Sequence, residues 1–289
     1  MKSLSIKEMI RIDKYWRFAN YLTICHMYLK NNLLLERDLL PSDLKEDCSD
    51  SWGDNSITNF IIAHFSSFAK RNNMSLIPNF CFNTNALAIS NSYIYGKLNC
   101  ANSYNGLVDA VINNNEINTC SLIDIYNLVD DNKTTIIPYI IHDSIDNEIN
   151  ASIKTSKKSN VVVLPILSIK KSTKNTFTYM SDDEICDYFK SLGYTPYICN
   201  SNHRNMYMIL EEIGNDLLTS SDILPMIIFH NDQEWTALDL RTIDSSYLCN
   251  IDKLYKKTKY LEHWLKGYHV EELFSKDKGI AKDILDIIP

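Results

Sequence analysis

Residues 161–198 constrain the fold most, because they predict a complete strand, loop, helix and strand in succession. Residues 161–167 are a continuous run of β-branched and aliphatic side chains, long enough for one strand and too short for a helix. Such a run is typical of a strand buried on both faces of a parallel sheet. Ser181 and the acidic residues 182–184 then mark a helix N-terminus, and apolar residues at helical spacing lead to Gly193.

A parallel sheet also predicts where a site would lie. Ligands bind beyond the carboxyl ends of the strands in such sheets, so the loop 168–178 is the expected location. This loop carries Lys170, Lys171 and Lys174 but no glycine. The whole chain has only seven glycines in 289 residues, well below the usual ~7%, whereas a loop that cradles phosphate with its backbone normally needs them.

Composition narrows the class of protein. A net charge of −7 argues against a nucleic-acid partner. No uninterrupted apolar span of membrane length and no signal-peptide core is present, so we expect a cytoplasmic protein with no membrane partner. The eight cysteines are scattered without a Cys-x-x-Cys pair, so neither a zinc site nor a disulfide framework is indicated.

The remaining pattern predicts an α/β three-layer sandwich with a mainly parallel sheet, preceded by a helical N-terminal arm. We expect one domain over 1–289, in which the arm, 1–73, packs on an α/β core, 74–289. His64 is expected to be a core or boundary histidine. The arm's first helix, at 6–30, has an amphipathic stripe formed by Ile10, Tyr15, Phe18, Leu22, Cys25 and Leu29. Further helices are predicted at 56–72, 86–95, 119–129, 206–218 and 253–268, and further strands at 74–82, 134–141 and 224–229.

Several collinear blocks resemble the bacterial and fungal phosphoketolases, from Asp13 to Phe274. The blocks are Tyr15-Trp16-Arg17, Trp52-Gly53 with Asn59-Phe60-Ile61, residues 163–167, residues 193–197, residues 225–229 with Trp235, and Trp264-Leu265 with residues 271–274. The resemblance implies the thiamine-diphosphate-binding fold and an aldehyde-lyase activity on xylulose 5-phosphate or fructose 6-phosphate. It also implies that this chain corresponds to the N-terminal, diphosphate-binding module only, without the pyrimidine-binding module and its cofactor-activating glutamate.

The departures from the family pattern fall on its chemistry. Ser51 stands where the family has the histidine of His-Trp-Gly, and Asn83 stands where it has the histidine of a glycine-rich loop. Neither side chain exchanges a proton near neutral pH. A second glycine-rich segment with another active-site histidine is expected to be missing within 99–119.

The metal motif is changed as well. The resemblance aligns His142-Asp143-Ser144 with the family's metal-binding Gly-Asp-Gly and puts Lys170 at the position of its metal-binding asparagine. Asp143 remains a candidate ligand for metal and cofactor, and Lys170 a candidate contact for the diphosphate. One carboxylate beside an ammonium is a poor Mg²⁺ site, however, because Mg²⁺ takes several oxygen ligands.

Three hypotheses follow. The first is a phosphoketolase-like pseudoenzyme without catalytic residues and without its own cofactor, which binds a protein partner or forms a homo-oligomer through the family's dimer surface. The second is one half of a split enzyme, in which thiamine diphosphate and Mg²⁺ bind only with a partner chain. The third is a repurposed binder of phosphorylated metabolites that uses His142, Asp143 and Lys170.

Overall fold

The computed structural model describes residues 5–46, 52–78, 85–98, 100–113, 133–141, 150, 153, 160–170, 176–219, 223–231, 247–248, 250–251 and 253–289. Its centre is a sheet of five strands in the order β1-β2-β3-β5-β4, and every neighbouring pair is parallel. The strands are β1 (Ser75–Leu76), β2 (Thr135–Ile141), β3 (Val161–Lys170), β4 (Thr195–Asn200) and β5 (Pro225–Asn231).

The strand predicted at 74–82 is much shorter in the structure. After Leu76, the Ile77 amide still donates to the Ile136 carbonyl at 3.1 Å. Pro78 follows outside the strand. Residues 79–82 lie outside the described part of the chain.

Eight α-helices are described. They are α1 (Ile6–Tyr28), α2 (Asn55–Arg71), α3 (Asn85–Ile94), α4 (Tyr104–Val108), α5 (Asp182–Ser191), α6 (His203–Thr219), α7 (Leu254–Lys266) and α8 (Lys282–Leu285). Five of the predicted helices agree with α1, α2, α3, α6 and α7 apart from a few terminal residues. The predicted helix 119–129 lies outside the described residues.

The capped helix predicted after Ser181 is confirmed as α5. Ser181 Oγ accepts a hydrogen bond from the Glu184 amide at 3.3 Å, and the Glu184 carboxylate accepts one from the Ser181 amide at 2.8 Å. The helix ends before Gly193, whose φ of 90° is a conformation that L side chains rarely adopt. This capping box starts the crossover that carries the chain from β3 to β4.

The sheet is covered on both faces, which confirms the three-layer α/β class. On one face, Leu164, Ile166 and Phe229 join a core with side chains from α1, α2, α3, α6 and α7. On the other face, Val163 and Leu167 pack in a separate core with side chains of α5. The alternation along β3 therefore feeds two cores, as expected for a strand in the middle of a parallel sheet.

Helix α1 is buried on every side from Tyr15 to Tyr28, so the predicted stripe is buried apart from Ile10 but does not face an exposed polar side there. All residues from Tyr15 to Tyr28 are buried, whereas Ile10, which was assigned to the stripe, is 45% exposed. The reason is tertiary: α1 packs against α2, α3, α6 and α8 together. Side chains of α1 and α2 share one core with the sheet, and the division into an arm (1–73) and a core (74–289) stays a prediction.

Buried amides join the helices on this face. The Tyr15 hydroxyl donates to Asn91 Oδ1, Asn91 Nδ2 donates to Asn59 Oδ1, and Asn59 Nδ2 donates to Asn20 Oδ1, each at 2.8 Å. Asn20 Nδ2 continues the series to Ser56 Oγ at 3.1 Å. Because buried amides are costly unless paired, this network fixes how α1, α2 and α3 fit together. In the described residues, no helix has the length and apolar character needed to cross a membrane.

Candidate functional site

The carboxyl ends of β3 and β5 bring polar side chains to one face of the sheet. Ser168 is in register with Phe229, and Lys170 is in register with Asn231. Side chains alternate along a strand, so these residues lie on the face covered by α1, α2 and α6. The strand was predicted to end at 167, but it continues to Lys170 because residues 168–170 pair with β5. The first three residues of the predicted loop 168–178 are therefore strand, which corrects that prediction.

An ion pair joins this edge of the sheet to the start of α2. Asp54 precedes α2 at its N-cap position but makes no capping bond with its side chain. Its carboxylate instead contacts the Lys170 ammonium. Both side chains are largely buried, with 18% of Asp54 and 23% of Lys170 exposed. The charge of Lys170 is thus balanced within the chain.

Asn231 adds an unsatisfied acceptor beside the ion pair. The residue is 1% exposed, and its Nδ2 donates to Ser168 Oγ at 2.9 Å. Its Oδ1 is buried and has no hydrogen-bond partner among the described residues. A buried unpaired oxygen is uncommon in folded proteins, so this atom marks a place where a water or a ligand group would be stabilised.

Two histidines lie on the same face. His64 Nε2, on α2, is 2.9 Å from His203 Nδ1, at the start of α6. His203 Nε2 is 3.6 Å from Asp13 Oδ1, and Asp13 Oδ2 accepts from Arg17 Nε at 2.8 Å. The Phe60 ring centroid lies 4.5 Å from that of His64 and 4.9 Å from that of His203. The predicted core position of His64 is confirmed, since it is 1% exposed.

The electrostatics of this pair follow from burial. Desolvation, with the nearby His203 and Arg71, lowers the pKa of His64 well below its ordinary value, so the ring is neutral. Burial alone would raise the pKa of Asp13, but His203 and Arg17 outweigh it and leave that pKa lowered. His64 Nδ1 has no hydrogen-bond partner among the described residues. A neutral ring enclosed by aromatic side chains is suited to packing rather than to proton transfer with a substrate.

The predicted site residues are only partly described. Lys170, which the sequence placed in the loop after the strand, is the last residue of β3. Ser51, Asn83 and Asp143 lie outside the described residues, as do His142, Ser144, Lys171 and Lys174. Their predicted roles remain predictions.

Sequence reasoning missed Asp54, Asn231 and the His203–Asp13 contact. Asp54 had one available signal, since it follows Trp52-Gly53 directly. Asn231 had another, because it is a polar residue at the end of an apolar strand. Nothing in the sequence pairs His64 with His203, because 139 residues separate them.

The described residues do not fit a magnesium-bound diphosphate. Mg²⁺ takes an octahedron of oxygen ligands, but the position aligned with the metal-binding asparagine holds an ammonium in contact with a carboxylate. No group of three or more His, Cys, Asp or Glu side chains that could hold a metal is found in the described part of the chain.

The fold is a parallel α/β domain with polar side chains gathered at the carboxyl ends of β3 and β5. The family described as the XFP N-terminal domain matches residues 3–107 and 131–289, so the chain belongs to that family. This confirms the resemblance to phosphoketolases over most of the chain. The architecture is also consistent with the predicted thiamine-diphosphate-binding fold class.

Similar curated proteins point the same way. The chain is 26% identical to "Xylulose-5-phosphate phosphoketolase" of Lactiplantibacillus pentosus, over 96% of this chain and 43% of the relative. It is 27% identical to "Probable phosphoketolase 2" of Lactiplantibacillus plantarum, with the same two coverages. Among solved structures, a transketolase from Leishmania mexicana covers 93% of this chain and 48% of its own at a TM-score of 0.41 and 10% identity. This score is too low to support a fold assignment.

The matches cover only part of the relatives and leave one segment of this chain unmatched. The chain spans less than half the length of the curated relatives. Residues 108–130 fall outside the family match and overlap the region 99–119, where a glycine-rich segment was predicted to be missing.

Proposed function

We propose that this chain is a non-catalytic member of the phosphoketolase N-terminal family that acts by binding a protein partner. The observation that carries the proposal is the Lys170–Asp54 ion pair. Lys170 stands at the position that the resemblance aligns with a metal ligand. Its positive charge is already balanced by Asp54 inside the fold.

The sequence supports the same reading at the other family positions. Ser51 and Asn83 replace two histidines and cannot act on protons near neutral pH. The blocks that are kept are mostly strands and helix faces, whereas the changes fall on loops that carry chemistry. A scaffold that is kept while its catalytic residues are replaced is expected of a protein that acts through its surfaces. The partner we propose is a related subunit or a second copy of this chain, docked through the surface that corresponds to the family's dimer interface.

A split enzyme is the alternative that a specific observation favours. The chain spans 43% of the length of its curated relatives, and in this alternative a separate chain supplies the rest. Thiamine diphosphate and Mg²⁺ would then bind only with that partner. A binder of phosphorylated metabolites is less favoured, because an anion at Lys170 would compete with the Asp54 carboxylate.

Calorimetry tests the loss of the cofactor site. The purified chain is titrated with thiamine diphosphate in excess Mg²⁺, and Asp143→Ala is titrated in parallel. We expect no binding heat at millimolar ligand from either protein. A dissociation constant tighter than about 100 μM, roughly −5.5 kcal/mol, that is lost in Asp143→Ala would contradict the proposal and favour the split enzyme.

A second measurement tests the binding role. Size-exclusion chromatography with light scattering is run on the chain alone and after mixing with a full-length phosphoketolase from the same source. We expect a homo-oligomer or a mixed complex, without production of acetyl phosphate by the chain alone. A monomer that stays separate in the mixture would argue against docking through the family surface.

A further inference from the structure

The Lys170–Asp54 pair connects two layers of the fold at one point. Lys170 is the last residue of β3, and Asp54 directly precedes α2, which lies on one face of the sheet. The two residues are 116 positions apart in sequence but touch in the fold. The ion pair therefore fixes the start of a 17-residue helix against the carboxyl edge of the sheet.

The carboxylate of Asp54 makes this contact in place of a capping bond. An aspartate at an N-cap position usually accepts a hydrogen bond from the first turn of its helix, but no such bond from Asp54 is present. Its negative charge still lies at the positive end of the α2 dipole, and the Lys170 ammonium supplies the compensating charge. With less than a quarter of either side chain exposed, neither charge is fully hydrated.

Asp54, Ser168 and Asn231 carry side-chain oxygens at this point of the described structure. Asp54 is paired with Lys170 and Ser168 accepts from Asn231 Nδ2, whereas Asn231 Oδ1 has no hydrogen-bond partner among the described residues. A divalent cation would have to approach a fixed ammonium at close range, which Coulomb repulsion opposes in a poorly hydrated site.

We propose that the Lys170 ammonium is a built-in counter-ion that takes the place of a divalent cation at this edge of the sheet, so that the fold does not depend on metal. The inference goes beyond the proposed function because it concerns what holds α2 on the sheet. Activity found in the presence of a partner chain would contradict the proposed function and leave this charge assignment unchanged.

Thermal unfolding of the full chain tests the proposal, with Mg²⁺ itself as the probe. We expect the wild-type Tm to be the same in 5 mM MgCl₂ and in EDTA, to within about 1 °C. Lys170→Met keeps the length of the stem but removes the charge, and we expect its Tm to fall by about 3–8 °C. A saturable rise of the wild-type Tm with Mg²⁺, or a Lys170→Met protein as stable as the wild type, would overturn the proposal.

Two further variants make the test specific to charge. Lys170→Arg keeps the cation and is expected to retain most of the wild-type Tm. If Lys170→Met does not fold, Lys170→Arg becomes the deciding variant. A Lys170→Arg protein that is destabilised as strongly as Lys170→Met would contradict a charge-based role. Combining Asp54→Asn with Lys170→Met should lower Tm by less than the sum of the two single changes, and strict additivity would refute their coupling.

Discussion

At the scale of single residues, His64 shows how burial determines charge. The ring is 1% exposed, contacts His203, and has a pKa lowered well below that of a free histidine. At pH values between the folded and unfolded pKa, the unfolded state therefore binds more protons than the folded state. Stability consequently rises with pH across this window, and it falls as the pH drops below the unfolded pKa of about 6.5.

This linkage gives a measurable pH dependence. The free energy of unfolding in urea should decrease from pH 7 to pH 5 in the wild type. His64→Gln cannot titrate, so its stability should fall less steeply over the same range, although the change lowers stability at pH 7. His263→Gln is the matched control, because His263 lies on α7 and is exposed. If the free energy of unfolding of His64→Gln falls with pH as steeply as that of the wild type, His64 is not the titrating group.

At the scale of elements, buried amides specify how three helices pack. Asn59 lies on α2 at 0% exposure and bonds to Asn91 of α3 and to Asn20 of α1. Its removal leaves an amide donor on Asn91 and an acceptor on Asn20 without this partner. The cost of burying such unpaired groups is about 1–3 kcal/mol each.

We therefore expect Asn59→Ala to lower the free energy of unfolding by about 3 kcal/mol. Asn72→Ala is the matched control: Asn72 caps the end of α2 and donates to Phe68 O at 2.9 Å at the surface, so its loss should cost less than about 1 kcal/mol. Chemical denaturation of both variants gives the comparison. Equal losses would show that the amide network adds nothing beyond an ordinary exposed hydrogen bond.

The elements also show which features a sequence reveals. The apolar run 161–167 and the Ser181 cap predicted β3 and α5 because strand burial and helix capping depend on neighbouring residues. The length of β3 was underestimated because Ser168 and Lys170 are strand residues only through pairing with β5. The burial of α1 was missed for the same reason, since the helices that surround its polar residues are distant in sequence.

The candidate site follows this rule. Lys170 was identified from its place at a strand end, but its partner Asp54 depends on where α2 begins relative to the sheet. The contact between His64 and His203 likewise requires α2 and α6 to lie side by side. Local patterns thus located the edge of the sheet where polar groups gather, whereas the charge balance at that edge emerges only from the tertiary fold.

At the scale of the whole molecule, Arg17 ties the two ends of the chain together. It lies on α1, is 5% exposed, and donates to the Tyr268 carbonyl at 2.9 Å and to Glu272 at 2.8 Å. It also pairs with Asp13, four residues earlier. Burial alone would lower the pKa of Arg17, but Asp13 and Glu272 outweigh it and leave that pKa raised, while Arg17 lowers the pKa of Glu272. One guanidinium therefore joins the first helix to the segment that follows α7.

Arg17→Met should lower the free energy of unfolding by about 3–5 kcal/mol, because it removes the guanidinium from Asp13 Oδ2 and leaves the buried Tyr268 carbonyl without this donor. Glu272→Gln is the matched control: its side chain is 48% exposed, so its loss of charge should cost less than about 1 kcal/mol. Limited proteolysis locates the effect, since release of the C-terminal segment should speed cleavage after α7 in Arg17→Met only. Cleavage of Arg17→Met that is faster along the whole chain would instead indicate global destabilisation. Arg17 would then have no specific role in joining α1 to the segment after α7.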